Sequence, residues 1–383
     1  INMNIKNLFH PNKNKVLFYY PQHFNRSAEG TNPFFYPLMK ACDNHRIEYE
    51  VWEEPDGATD KPRNPNAKRA AGFFWTIVVI RKIVRILMPV FCRYQKEKVV
   101  AQIFNVLTLG RYRYKKYVSI SGSMEELFLA LCPKADVFEL QHGVDYSNKI
   151  SYFDNCQLKD AYKSPRWHLL SWGEGYRSCV IRGHENDFNL KERVHVVGYP
   201  MFREVKKPLN TKGNKFTILF SFQFTNDWDI AKLKRYKHMI MQTLKMLEGV
   251  DCEVLLKHHP RYNNCIDLSD MYERFPFAHE TKEMLTDLQE STNLHVTLNS
   301  TTGFEFAEVG IPSFFLHNAD FPQHDSLFYK EYDYPLYLGM NIREVVERLQ
   351  NEAMRQHNAR IVMEWYKKFY SPFDEELFVN LLK

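Results

Sequence analysis

The sequence predicts an α/β protein with two Rossmann-like domains that face each other across a cleft, and three observations carry this prediction. At 383 residues the chain is too long for one ordinary hydrophobic core. Short apolar runs alternate with longer amphipathic stretches, which is the pattern of βαβ units. The alternation restarts after the polar, Pro- and Gly-containing segment 206–215. We therefore expect domains at 1–207 and 208–350, followed by C-terminal helices at 351–383 that can pack back on the N-terminal domain.

The predicted strands are short apolar runs bounded by Gly, Pro, Asn or His. In the first half they cover 15–20, 116–121, 136–141, 168–173 and 194–199. In the second half they cover 216–222, 252–259, 294–300 and 311–317. An amphipathic stretch predicts a helix at 229–248, and 342–383 predicts helices interrupted near YSPFDE. Ligand-binding loops of such domains follow the carboxyl ends of the strands, so residues at those ends are the first candidates for a site.

Composition and cysteine spacing indicate a globular protein of a reducing compartment. The chain is 44% apolar and 25% charged, which excludes a disordered chain. Its seven cysteines form no CxxC pair and no Cys/His cluster with zinc spacing, so we expect free thiols and no metal site. The first fifteen residues lack the apolar core of a secretory signal. We expect a cytoplasmic protein.

The positive charge is concentrated in one segment. Residues 61–116 contain fourteen Lys or Arg and one acid, Glu97. Within it, 73–92 forms a helical pattern with Arg81, Lys82 and Arg85 on one arc, which is typical of a basic helix lying in a membrane interface. The apolar run at 70–80 has eleven residues, short of the roughly twenty needed to span a bilayer. The alternatives are a core helix with a solvated basic face and, with less support, a nucleic-acid surface.

Three polar clusters follow predicted strands. The first is QHG at 141–143, where His142 stands beside a glycine that lets a substrate approach the backbone. Histidine at such a place suits a general base or a phosphate contact. A structural role for a buried histidine is the alternative.

The second cluster is LLKHHPRYNN at 255–264, which supplies Lys257, His259 and Arg261 at the end of a strand. These cationic side chains suit a phosphate-rich ligand, because charge-assisted hydrogen bonds to phosphate are strong. Adjacent histidines on a strand point to opposite faces, which argues against zinc. A solvated basic loop is the alternative.

The third cluster, at 296–316, is a strand that opens into hydroxyl side chains and then a helix. Hydroxyls and free N–H groups at a helix start form an anion site. The alternative is ordinary capping, with Thr302 as the N-cap and Glu305 closing a capping box. The candidate donor-binding residues here are Asn299, Ser300, Thr301, Thr302, Glu305 and Glu308.

Two further features concern the cleft. The loop after the first strand contains His23 and Glu29, either of which could serve as a base there. The one DxD-like triplet, Asp227-Trp228-Asp229, is better explained as the start of the 229–248 helix than as a metal ligand, because carboxylates favour the positive end of the helix dipole.

The ordered set QHG, VVGYPMF, LLKHHP and NSTTGFEFAEVGIPSFF resembles GT-B glycosyltransferases of bacterial envelope and capsular polysaccharide synthesis. The similarity is to teichoic-acid glycerophosphotransferases and to capsular Kdo- or sialyl-type transferases, and it covers about residues 136–317. It implies that His142 is catalytic or contacts the donor, that His259 binds donor phosphate, that Ser300 and Thr301 form the phosphate-binding turn, and that Glu305 or Glu308 holds the ribose. The teichoic-acid family has Trp before its HG and Asp-Tyr before its serines, where this chain has Leu140-Gln141 and Leu298-Asn299. The resemblance therefore does not extend to a glycerol phosphate substrate.

The resemblance implies an inverting, metal-independent glycosyltransferase that uses a nucleotide sugar as donor substrate and needs no cofactor. The N-terminal domain would bind a lipid-linked or glycan acceptor, and the C-terminal domain would bind the donor. The expected products are capsule or lipopolysaccharide, made at the cytoplasmic face of the inner membrane, with no nucleic acid involved. A non-hydrolysing sugar-nucleotide 2-epimerase and a non-catalytic scaffold of the same fold remain as alternatives.

Overall fold

The computed structural model describes residues 12–383 except 13, 58–60, 121, 123, 209–214, 260–261, 263 and 317–326. The chain divides into two compact units. Unit 1 comprises Ile1–Arg203 and Phe369–Lys383, and unit 2 comprises Glu204–Lys368. Each unit is built around a parallel sheet of its own.

The sheet of unit 1 has seven parallel strands in the order β3-β2-β1-β4-β5-β8-β9. The order reverses direction between β1 and β4, which is the switch point at which ligands bind in open α/β sheets. A separate two-stranded antiparallel ladder joins β6 to β7. The strands are β1 (Val16–Pro21), β2 (Tyr49–Glu54), β3 (Lys68–Arg69), β4 (Lys116–Ile120), β5 (Asp136–Leu140), β6 (Phe153–Asp154), β7 (Gln157–Leu158), β8 (Trp167–Ser171) and β9 (Val194–Val196).

Helices cover this sheet and bury its apolar side chains. All six residues of β1 are buried, which explains why its sequence is a continuous apolar run without alternation. Tyr19, Tyr117 and Trp167 lie in the core with side chains from the covering helices. The helices of this part are α1 (Tyr36–Asn44), α2 (Ala71–Leu87), α3 (Arg93–Leu107), α4 (Glu125–Leu131), α5 (Glu174–Ile181) and α6 (Leu190–Arg193).

Helices α2 and α3 form a hairpin, and the helical pattern over 73–92 ends early, before Pro89. Helix α2 ends at Leu87 and is followed by Pro89, which has no N–H to continue the ladder. Arg93 and Lys96, which would continue the basic arc on a single helix, belong to the next helix, α3. Among the described residues, no helix combines the length and apolar character needed to cross a bilayer.

The prediction that Arg81 lies on an exposed basic face is wrong. Its guanidinium makes three hydrogen bonds of 2.9 to 3.1 Å to the carboxylate of Glu97, which is buried. This bidentate pair joins α2 to α3. Lys82 and Arg85 are exposed, as the basic helix requires.

The sheet of unit 2 has five parallel strands in the order β12-β11-β10-β13-β14. They are β10 (Thr217–Ser221), β11 (Glu253–Lys257), β12 (Ala278–Glu280), β13 (Leu294–Thr297) and β14 (Ser313–Phe315). The central strand β10 is buried along its whole length. The helices are α7 (Ile230–Met246), α8 (Ser269–Arg274), α9 (Leu285–Gln289), α10 (Thr302–Glu308), α11 (Ile342–Leu349) and α12 (Glu352–Phe369).

The last fifteen residues belong to unit 1. The N–H of Ser371 donates to the carbonyl of Trp172 at 3.0 Å, and the hydroxyl of Tyr176 donates to that of Tyr370 at 3.0 Å. A Cβ on Gly198 would lie 2.0 Å from the Pro372 carbonyl oxygen, so only glycine fits there. The chain then ends in α13 (Glu375–Leu382), whose N-cap is Asp374.

Candidate active site

The parallel sheet of unit 2 brings the predicted donor-binding motifs to one edge. Strands β11 and β13 both pair with β10, in a register that aligns Ser221 with Lys257 and Phe220 with Val296. The segments that follow β10, β11 and β13 therefore leave the sheet side by side. They contain Gln223, His258, His259 and the 299–302 turn, and Lys257 is the last residue of β11.

Gln223 fixes the 299–302 turn. Its Nε2 donates to Oδ1 of Asn299 at 2.5 Å, and its Oε1 accepts the backbone N–H of Asn299 at 2.7 Å. Because Gln223 follows β10, the turn after β13 is held by the segment that follows the neighbouring strand. The sequence prediction missed this residue.

The capping alternative for the turn is wrong. Helix α10 begins at Thr302 itself, its N-cap position is Thr301, and no side-chain cap bond is formed. Instead, the N–H of Thr302 donates to Oγ of Ser300 at 3.3 Å. Ser300 is half-buried and Thr301 is exposed.

A buried histidine, His295, contacts the 299–302 turn through Thr302. The ring of His295 contacts Oγ of Ser313 and Oγ of Ser221, each at 2.9 Å, and Oγ1 of Thr302 at 3.3 Å. It also stacks on Phe306, with ring centroids 4.3 Å apart. Burial lowers the pKa of His295 to about 3, so the ring is neutral. It is a positioning residue, and its only sequence signal is a histidine within an apolar strand.

Within the 257–259 run, His258 has a structural role. His258 hydrogen-bonds the hydroxyl of Tyr272 at 2.9 Å and stacks on Tyr262 at 4.1 Å, and burial lowers its pKa. Lys257 and His259 are half-buried at the sheet edge. Arg261 lies outside the described residues.

The two predicted ribose ligands lie on α10. Glu305 is in the first turn, where desolvation raises the pKa of its carboxyl. Glu308 is half-buried at the last position of the helix.

In unit 1, His142 follows β5 in a turn held by Gln141. Oε1 of Gln141 accepts the N–H of Trp172 at 2.8 Å and the hydroxyl of Ser171 at 3.1 Å, and its Nε2 donates to the carbonyl of Gly143 at 2.9 Å. Gly143 has φ of 76°, in the left-handed region that favours glycine, and a Cβ there would meet open space. Steric clearance therefore exists beside His142.

His23 lies near enough to His142 for its charge to act on the pKa of that ring. Burial, and then the charges of Lys149 and His23, lower the pKa of His142 to about 4, so its imidazole is neutral near pH 7. Nδ1 of His142 is buried and has no hydrogen-bond partner among the residues that the structure describes. The ring packs edge-on against Phe24 at 6.0 Å.

His23 carries an orienting carboxylate that the sequence prediction missed. Its Nδ1 contacts Oδ2 of Asp56, which also accepts the backbone N–H of His23 at 3.0 Å. Asp56 follows β2, the parallel neighbour of β1, so both residues leave the same sheet edge. A carboxylate on one ring nitrogen fixes the tautomer and stabilises an imidazolium. Glu29 is exposed on the same loop as His23.

The carboxylate of Asp229 has a structural role. It accepts the N–H of Lys232 at 2.8 Å and is the N-cap of α7, which confirms the helix-start interpretation. Within the described part of the chain, no group of three or more His, Cys, Asp or Glu residues could hold a metal ion.

No family model matches the chain. DNA polymerase IV of Saccharomyces cerevisiae is 24% identical over 188 residues, which cover 47% of this chain and 27% of that protein. The chain thus spans about a quarter of the length of this curated relative, and the match shows no family membership.

Solved structures resemble the chain over almost its whole length. A variant of the wall teichoic acid polymerase TagF matches with a TM-score of 0.50 and 16% identity, over 96% of this chain and 87% of that one. The UDP-GlcNAc 2-epimerase of Methanocaldococcus jannaschii matches with 0.51 and 12%, over 96% and 99%. That of Neisseria meningitidis, bound to UDP-GlcNAc, matches with 0.51 and 11%, over 96% and 99%. The chain has the GT-B-type α/β fold of these enzymes, as its motifs predicted.

Proposed function

We propose that the chain is a glycosyltransferase that moves a sugar from a nucleotide donor to a lipid-linked or glycan acceptor in capsule or lipopolysaccharide synthesis. One observation carries the proposal. Each unit collects its candidate residues at the carboxyl edge of its own parallel sheet, with the hydroxyl-bearing 299–302 turn in unit 2 and the neutral imidazole of His142 in unit 1. The neighbours' names support a nucleotide-sugar ligand, since one epimerase is bound to UDP-GlcNAc.

Unit 2 would hold the donor. The hydroxyls of Ser300 and Thr301 would bind the diphosphate, with Gln223 and His295 keeping their turn in place. Lys257, His259 and Arg261 would offset the negative charge that builds on the leaving phosphate. Fixed positive charge at that point accelerates the reaction without a metal ion.

Unit 1 would activate the acceptor. A neutral imidazole can accept a proton, and His142 is neutral near pH 7. We propose His142 as the general base that takes the proton of the acceptor hydroxyl, and the pair His23–Asp56 as the group beside it that binds or relays that proton. Direct attack by the acceptor would invert the anomeric centre.

A nucleotide panel tests donor binding. CMP, CDP, UDP and GDP should differ in their effect on the melting temperature of the chain. The nucleotide that carries the base of the true donor should raise it. At one hundred times Kd the expected stabilisation is about 2.7 kcal/mol. Differential scanning fluorimetry of the purified chain measures the shift. If none of the four nucleotides raised the melting temperature, the donor site would be wrong.

A further inference from the structure

The hairpin of α2 and α3 exposes an apolar stripe on the side opposite its buried face. Phe73, Ile77, Ile80 and Val84 of α2 pack into the core. Trp75, Val79, Ile83 and Ile86 are spaced by three or four residues on the other side, and all are exposed, Trp75 at 60% and Ile86 at 74%. Helix α2 is therefore apolar on two faces, and the core covers only one of them.

The stripe continues beyond α2. In the connection between the helices Val90 is 88% exposed and Phe91 is also exposed. A further exposed apolar group lies at the other end of α3 and comprises Ile103, Val106, Leu107 and Leu109. An exposed apolar surface of this extent marks an interaction site.

A basic cavity lies on the same hairpin. Its volume is about 250 Å³, and its lining consists of Arg81, Arg85, Arg93, Lys96, Glu97 and Val100. The one acid, Glu97, is already bound by Arg81, and Lys96 is held over the turn by donating to the Pro89 carbonyl at 3.2 Å. Arg93 forms an ion pair with Glu126, with 3.2 Å between its Nε and the carboxylate oxygen. Arg85 is exposed, and its guanidinium is a good donor to phosphate oxygens.

We propose that this hairpin docks on a bilayer that contains anionic phospholipid, with the apolar stripe in the interface and a lipid headgroup phosphate in the basic cavity. Residues 71–107 contain six Lys or Arg and one acid, so their charge complements an anionic leaflet. A tryptophan beside aliphatic side chains and flanking cations is the composition of an interfacial helix. The inference rests on the proposed function and names the surface at which unit 1 would meet a lipid-linked acceptor.

Vesicle flotation of the purified full chain tests docking. The chain should float with phosphatidylcholine vesicles that contain phosphatidylglycerol and float much less with phosphatidylcholine alone. Arg85→Glu should weaken binding to the anionic vesicles by about tenfold, because it removes an attraction and adds a repulsion in the cavity. The double variant Ile86→Asp and Val90→Asp should abolish flotation, because it charges the stripe.

The matched controls lie in unit 2. Lys234→Glu reverses an exposed charge on α7, Leu338→Asp charges an exposed apolar residue, and both should float like the wild type. Every variant should keep its nucleotide-induced rise in melting temperature, so lost docking is distinguishable from a failed donor site.

Three results would overturn the inference. One is a wild type that does not float with anionic vesicles. Another is displacement from the vesicles by dissolved glycerol phosphate at matched concentration, which would make the cavity a site for a soluble phosphate. The last is a wild-type dimer in light scattering that becomes a monomer in the Ile86→Asp and Val90→Asp double variant. That result would assign the stripe to a second copy of the chain.

Discussion

Replacing His142 with alanine is expected to lower kcat for sugar transfer by about 10²- to 10⁴-fold, the usual contribution of a positioned general base. The donor KM should change little, because the predicted donor contacts belong to unit 2. The free energy of unfolding should also change little, since His142 sits in a turn that Gln141 holds in place. Initial rates of acceptor-dependent nucleotide release measure both kinetic constants.

The pH dependence belongs to the same prediction. Because the pKa of His142 is lowered to about 4, its neutral form dominates above that pH. The kcat/KM of the free enzyme should therefore be level from about pH 5 upward and fall as the pH approaches 4. His238→Ala removes an exposed histidine of α7 and is the matched control. If His23→Ala or Glu29→Ala lost the greater part of kcat while His142→Ala retained it, another residue would be the base.

The double variant Ser300→Ala with Thr301→Val removes both hydroxyls that are proposed to bind the diphosphate in the 299–302 turn. It is expected to raise the nucleotide Kd by at least tenfold. A hydrogen bond to a charged group contributes about 1.5 to 3 kcal/mol, and 1.4 kcal/mol corresponds to a factor of ten. The change in Kd is measured by titrating the chain with the chosen nucleotide and monitoring binding by fluorimetry or calorimetry.

Two further variants sharpen this result. Gln223→Ala leaves the hydroxyls in place but removes their anchor, and it should weaken binding by a smaller factor. Thr286→Val removes an exposed hydroxyl of α9, away from the 299–302 turn in sequence, and should leave the Kd unchanged. An unchanged Kd in the Ser300→Ala and Thr301→Val double variant would place the phosphate elsewhere.

The strands that could be predicted from the sequence are the buried ones, because burial makes their sequences continuous apolar runs. The nine predicted strands correspond to β1, β4, β5, β8, β9, β10, β11, β13 and β14, with ends shifted by a few residues. It missed β2, YEVWEE, because three acids among six residues argue against a strand. Two of those acids pair with residues outside the strand. Glu50 binds Lys15 and Lys68, and Glu53 binds Arg63 and the N–H of Asn64.

The candidate site shows the same division. Motifs at strand ends could be placed from sequence, because parallel strands bring their carboxyl ends to one edge. The residues that hold those motifs could not be found, since each acts across a long stretch of chain. Gln223 is 76 residues from Asn299, and Asp56 is 33 residues from His23. The bond of Arg81 to Glu97 was missed because the turn at Pro89 folds α3 back onto α2.

The product formed from a sugar-labelled nucleotide donor tests the central claim most directly. The purified chain is incubated with that donor, with and without a lipid-linked or glycan acceptor, and the label is followed by chromatography. The proposed function predicts that the label moves to the acceptor with inversion of its anomeric centre, and that nucleotide is released at a rate that depends on acceptor. Epimerised nucleotide sugar formed without any acceptor would contradict it and would identify the chain as a sugar-nucleotide epimerase.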